Sequence, residues 1–162
     1  MNGLDVLLTL AQIGVAFAGF SSIIAIFSGH DERWLRIDII RMVSMLSSSL
    51  LATLLAVIPT VINLQIPDPV AGWRIAGIIY CVGLAVLLLG GFFYGLELKR
   101  LNTRNIFFWS HISMLLLAFL LQAATLSGIL SLAPAASYTA GVLLLLMISG
   151  VNFFRLVFVN VK

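Results

Sequence analysis

Five stretches of the chain are almost uninterruptedly apolar, at residues 4–28, 40–64, 72–96, 106–132 and 137–160. A helix rises about 1.5 Å per residue, so roughly 20 residues cover the ~30 Å hydrocarbon core of a bilayer. Inside hydrocarbon every backbone N–H and C=O must be paired within the protein, and one isolated segment achieves that only as a helix. The expected fold class is therefore all-α: an integral membrane helical bundle of five transmembrane helices, forming a single transmembrane domain over residues 1–162. Charge leads to the same reading. Only 9% of the 162 residues are charged and 62% are hydrophobic, whereas a soluble domain carries about a quarter charged residues. The spans use the whole chain, which leaves no length for a soluble catalytic module.

Punctuation falls between the runs. Gly29 can end the first helix, and Asp68 followed by Pro69 reads as an N-cap with proline at the first helical position. Asn102 or Thr103 can cap the fourth helix, and Leu132-Ala133-Pro134 separates it from the fifth. Pro59 lies inside the second span and is expected to kink it. The charged loop from His30 to Arg36 is expected to extend the second helix into the head-group layer. The start, Met1-Asn2-Gly3-Leu4-Asp5, lacks the basic region of a signal peptide, so the first segment is expected to be retained.

Orientation follows from the cations. Arg33, Arg36 and Arg41, then Lys99, Arg100 and Arg104, then Arg155 and Lys162 all fall on one side of a five-span chain, with only Arg74 opposite. Basic loops stay in the cytoplasm, which places the N-terminus out and the C-terminus in. Trp34, Trp109 and Tyr94 then lie near the inner interface, and Trp73 and Tyr138 near the outer one. The net charge of +3 is spread over helix ends rather than gathered in a patch. It reads as orientation and lipid head-group contact, with no nucleic-acid partner.

Each span carries a smaller or more polar stripe at helical spacing. The first has Asp5, Thr9, Gln12, Ala16, Gly19 and Ser22. The second has Arg41, Ser44, Ser48, Ala52 and Ala56, continuing to Thr60 and Asn63. Tyr80, Gly83, Gly90, Tyr94 and Glu97 mark the third. His111, Ala118, Gln122 and Thr125 mark the fourth, and Ser149, Asn152 and Arg155 the fifth. The default reading is packing, because small residues let helices approach in lipid and hydroxyl or amide groups bond across the contact. The sharper reading is a hydrated path or small-solute site where stripes meet. Its candidate contacts are Asp5, Gln12, Ser48, Gln122, Asn152 and Arg155, with Arg41, Glu97 and His111 forming an inner polar layer. Gly14-Val15-Ala16-Phe17-Ala18 and Gly91-Phe92-Phe93-Tyr94-Gly95 match the small-xxx-small contact motif.

Chemistry is sparse. No acidic residue sits at mid-membrane, which speaks against a proton- or ion-coupled pump with a carboxylate relay. His111 lies within a span but His30 lies in a loop, so a bis-His haem would need another subunit. The single cysteine, Cys81, excludes an internal disulfide, and no His, Cys or carboxylate spacing matches a zinc site. No cofactor, metal or enzymatic activity is expected.

Ala18-Gly19-Phe20-Ser21, a Trp–Arg–Asp loop and Asn152-Phe153-Phe154-Arg155-Leu156 together resemble small uncharacterised polytopic membrane proteins of bacteria. The resemblance implies a bacterial plasma (inner) membrane location and brings no activity with it. Two functions follow as expectations. One is a homo-oligomeric channel or small-solute pathway subunit. The alternative is a non-catalytic accessory or anchoring subunit of a larger membrane complex. The partners expected are the lipid bilayer and either further copies of the chain or a membrane-complex subunit.

Overall fold

The computed structural model describes residues 3–28, 36–66, 68–100, 106–130 and 133–158. It is all-helical among those residues: α1 (Gly3–Ser28), α2 (Arg36–Gln65), α3 (Pro69–Arg100), α4 (Ile106–Leu126) and α5 (Pro134–Phe158). All five are long and apolar enough to cross a membrane. The reading of Asp68-Pro69 holds in detail, for the Asp68 carboxylate accepts a hydrogen bond from the Val70 N–H at 2.9 Å and α3 starts at Pro69.

Several boundaries differ from the expected ones: α3 covers Pro69–Arg100 rather than 72–96, and α5 begins at Pro134 rather than 137. Helix α2 begins at Arg36 rather than 40. Helix α4 ends at Leu126 rather than 132, because the chain turns out of the helix through Gly128, whose φ is +77°. That conformation suits a residue without a Cβ. Gly29, Asn102, Thr103, Trp34 and most of the charged first loop lie outside the described residues.

Cross-helix contacts give the directions. Gly3 sits beside Ala135, and the Phe17 and Phe153 rings lie 6.1 Å apart, so α1 and α5 run parallel. Leu55 meets Tyr138 and Ser44 meets Asn152, so α2 runs against α5. Gly77 faces Gln122 and Gly91 faces Ile112, so α4 runs against α3. The helices thus alternate in direction, and the two ends of the described chain lie at opposite ends of the bundle. Helix α5 touches all four others, whereas α1 meets neither α3 nor α4 and α2 does not meet α4. The last helix is the hub.

Packing at the hub is dense. Leu7, Met45, Leu55, Tyr80, Leu84, Tyr138, Leu145 and Ile148 are buried, while Leu54, Val86, Leu89, Leu117 and Met147 are each more than half exposed. Such an outer surface suits acyl chains. In lipid, burying apolar surface does not hold helices together, so close contact and hydrogen bonds must. Gly14 shows the first device. A Cβ there would overlap the Thr53 hydroxyl and come within 3.1 Å of the Ser49 carbonyl, so α1 and α2 approach to backbone distance. In the second small-xxx-small match, Gly91 lies against Ile112, which a Cβ would approach to 2.7 Å.

Candidate functional site

The stripe of α2 faces inward. Ser48, Ala52 and Ala56 are buried, and Arg41, Ser44, Thr60 and Asn63 half-buried. Two of the sequence candidates meet there. The Ser48 and Ser149 hydroxyls lie 2.7 Å apart, and Asn152 donates from Nδ2 to the Ser44 hydroxyl at 3.2 Å. Ser48 also donates to the Ser44 carbonyl of its own helix, at 2.8 Å, and Ser149 lies 3.3 Å from the Met45 carbonyl. These bonds form the seam that joins α2 to α5. Interhelical bonds of this kind average about 0.6 kcal/mol in membrane proteins. Ser149→Ala is accordingly expected to lower stability by about that much, measured by detergent-driven unfolding; a loss several times larger would mean that the seam acts as one cooperative unit.

Toward the other end of the same contact lies a second cluster, built around a proline. Pro59 has no N–H, so the Leu55 carbonyl four residues earlier lacks its helical donor. The Tyr138 hydroxyl of α5 supplies one, donating to Leu55 O at 2.7 Å. Pro59 and Tyr138 are fully buried. Tyr138, expected near the outer interface, is therefore a core residue of the bundle. Its ring packs on Tyr80, at a centroid distance of 5.1 Å, and on Trp73 at 5.7 Å. Tyr80 in turn points its hydroxyl at Gly141, where a Cβ would overlap it. That hydroxyl is buried without a hydrogen-bond partner.

Gln122 lies beside this cluster and is buried. Its Oε1 accepts from the Ser137 hydroxyl at 3.3 Å, and its amide nitrogen lies where a Cβ on Gly77 would approach to 2.6 Å. Gln122 thus joins α4 to α5 and fills the space that Gly77 leaves on α3. Of the expected inner layer, Arg41, His111 and Arg155 are half-buried on α2, α4 and α5. The side chains of Glu97 and Tyr94 fall outside the described residues. No group of three or more His, Cys, Asp or Glu among the described residues could hold a metal ion.

The stripe of α1 is the exception. Leu7, Leu10, Ala11, Gly14 and Ser21 form the buried face of this helix, and Asp5, Thr9, Gln12, Ala16, Gly19 and Ser22 are all exposed. At about 1.5 Å per residue, Gln12 stands roughly 14 Å from the start of α1, near the middle of the membrane-crossing window Gly3–Ile24. A carboxamide held in hydrocarbon without a partner costs about 4–8 kcal/mol on the cyclohexane scale. Asp5 is less demanding, because it sits in the first turn of α1, at the membrane edge and beside the positive end of the helix dipole. The stripes expected to converge therefore separate. Ser48, Gln122 and Asn152 close contacts inside the bundle, while Asp5 and Gln12 face away from it.

Comparison with known proteins adds nothing to this picture: no family model, curated protein or solved structure matches the chain.

Proposed function

We propose that the protein is a multi-pass component of a bacterial plasma membrane that assembles as a homo-oligomer and passes a small solute or ion along the outer face of α1. The single observation that supports this reading is the exposed stripe through Gln12 at mid-depth. Ser48 and Ser149, Ser44 and Asn152, and Gln122 and Ser137 bond to one another instead. In this reading the Asp5 end of α1 is outside, the C-terminal end of α5 is cytoplasmic, and the chain performs no bond-making chemistry. The distribution of Arg36, Arg41, Lys99, Arg100 and Arg155 against the lone Arg74 supports that direction.

Flux through liposomes containing the purified protein is the test. Gln12→Leu is expected to reduce the flux at least about tenfold, since it removes the one amide available to replace water along the path. Unchanged flux in that variant, or none from the parent protein, would overturn the pathway. A second reading, an accessory subunit of a larger complex, draws on the hydrogen bonds that tie α2 to α5 and α4 to α5. It predicts no flux and a foreign subunit that co-purifies in fixed stoichiometry.

A further inference from the structure

We infer that α3 and α4 move together as a door, hinged at one end of the bundle, whose far end swings toward and away from α2. The inference goes beyond the proposed function and is independent of it, since α1 meets neither α3 nor α4. Topology sets the hinge. Both connections that tie this helix pair to the rest, Gln65 to Pro69 and Leu126 to Pro134, fall at the same end of the bundle. At the other end the chain from Arg100 to Ile106 links α3 only to α4.

The pair is close-packed within itself at both ends. Gly77 lies against Gln122 and Leu126, and a Cβ on Gly91 would come within 2.7 Å of Ile112. Its contact with α2 is close at the hinge end alone. Gly72, Gly83 and Gly90 share one face of α3, because their spacings are close to whole numbers of helical turns. A Cβ on Gly72 would lie 2.8 Å from Asn63 and one on Gly83 3.1 Å from Leu51, whereas one on Gly90 would meet nothing within 4 Å. Helix α3 thus parts from α2 beyond Gly83. Burial follows the same wedge. Among the described residues α3 buries none beyond Leu84 and α4 none before Leu115, yet α2 is buried as far as Met45 and α5 as far as Leu156.

The opposing face of α2 can receive the door. The Asn63 and Leu51 contacts fix an antiparallel register, and extending it sets Gly90 opposite the turn that holds Ser44 and Ser47. Small residues on both sides let the two backbones approach. Standing open costs the door little, because apolar side chains gain nothing from burial alone when lipid is the alternative.

Distances between paired nitroxide labels, measured on the full chain in lipid nanodiscs, test the door. The native thiol is removed by Cys81→Ser. Leu89→Cys on α3 with Leu50→Cys on α2 reads the far end. Ile75→Cys with Val61→Cys reads the hinge end, and Leu50→Cys with Val151→Cys reads α2 against α5. All five positions are exposed, so the labels leave the interior packing alone. A swing of about 10–15° over the ~30 Å of the hydrocarbon core moves the far end by roughly 5–8 Å. The Leu89–Leu50 pair is therefore expected to show two distances that differ by that much, and each control pair a single one. Gly90→Leu fits the open position but blocks closing, so it should abolish the shorter distance. One distance in the parent, two that survive Gly90→Leu, or a matching split in either control pair would each overturn the door.

Discussion

Tyr138→Phe is expected to lower the unfolding free energy of the protein by about 1–2 kcal/mol, although it removes a single oxygen atom. The loss arises on α2, where the Leu55 carbonyl has no N–H to turn to because residue 59 is proline. The second half of this prediction separates the mechanism from general loosening. Pro59→Ala gives the backbone its donor back, so Tyr138→Phe made on top of Pro59→Ala should cost markedly less than it does alone. Tyr80→Phe is the control. The Tyr80 ring packs on that of Tyr138 but its hydroxyl is unpartnered, so losing that hydroxyl should be neutral or slightly stabilising. Detergent-driven unfolding of the four variants, followed by tryptophan fluorescence, measures all of this. Equal costs for Tyr138→Phe with and without Pro59 would refute the substitution of hydroxyl for amide.

Gly141→Ala is expected to cost about 1–3 kcal/mol, the usual price of forcing a methyl into a filled contact. The obstacle is an aromatic hydroxyl on a rigid ring, with Tyr138 behind it. Tyr80→Phe removes the first atom in the way, yet the ring carbon that carried it would still lie 2.7 Å from the new methyl. The double variant should therefore recover part of the loss and not all of it. A full recovery would place the strain on the hydroxyl alone, and no loss in Gly141→Ala would mean that α3 and α5 can separate freely.

Much of the architecture was legible because length and hydropathy decide it. Five apolar runs, each longer than the roughly 20 residues that span a bilayer, leave a membrane chain little choice, and Asp68-Pro69 marked the start of α3 by its capping chemistry. The end of α4 was less legible, since Ile129, Leu130 and Leu132 continue the apolar composition past the turn. Only the backbone at Gly128 announces it. The facing of the stripes was not legible at all. In water, polarity along a helix says which side meets solvent, but in lipid a stripe of Ser, Ala and Gly can serve a neighbour within the chain or one outside it. The stripes of α1 and α2 look alike in sequence, and they point in opposite directions relative to the bundle. The bond from Tyr138 to the Leu55 carbonyl was not legible either, because a tyrosine near the end of a span can anchor to head groups or complete a broken helix with equal chemistry.

The central place of α5 has a consequence for how the protein is made. Synthesis runs from the N-terminus, at about 5–20 residues per second, so the helix that contacts the other four leaves the ribosome after them. Until it arrives, α2 stands in the bilayer with the Leu55 carbonyl unsatisfied and Ser44 lacking Asn152, while Ser48 keeps only its bonds within α2. Four inserted helices without the fifth thus form an intermediate that displays its unmet polar groups, the kind of surface by which membrane chaperones and proteases recognise an unfinished chain. Truncation just before Pro134 should yield a product that is inserted and then rapidly degraded, and a separately expressed α5 is the segment best placed to rescue it.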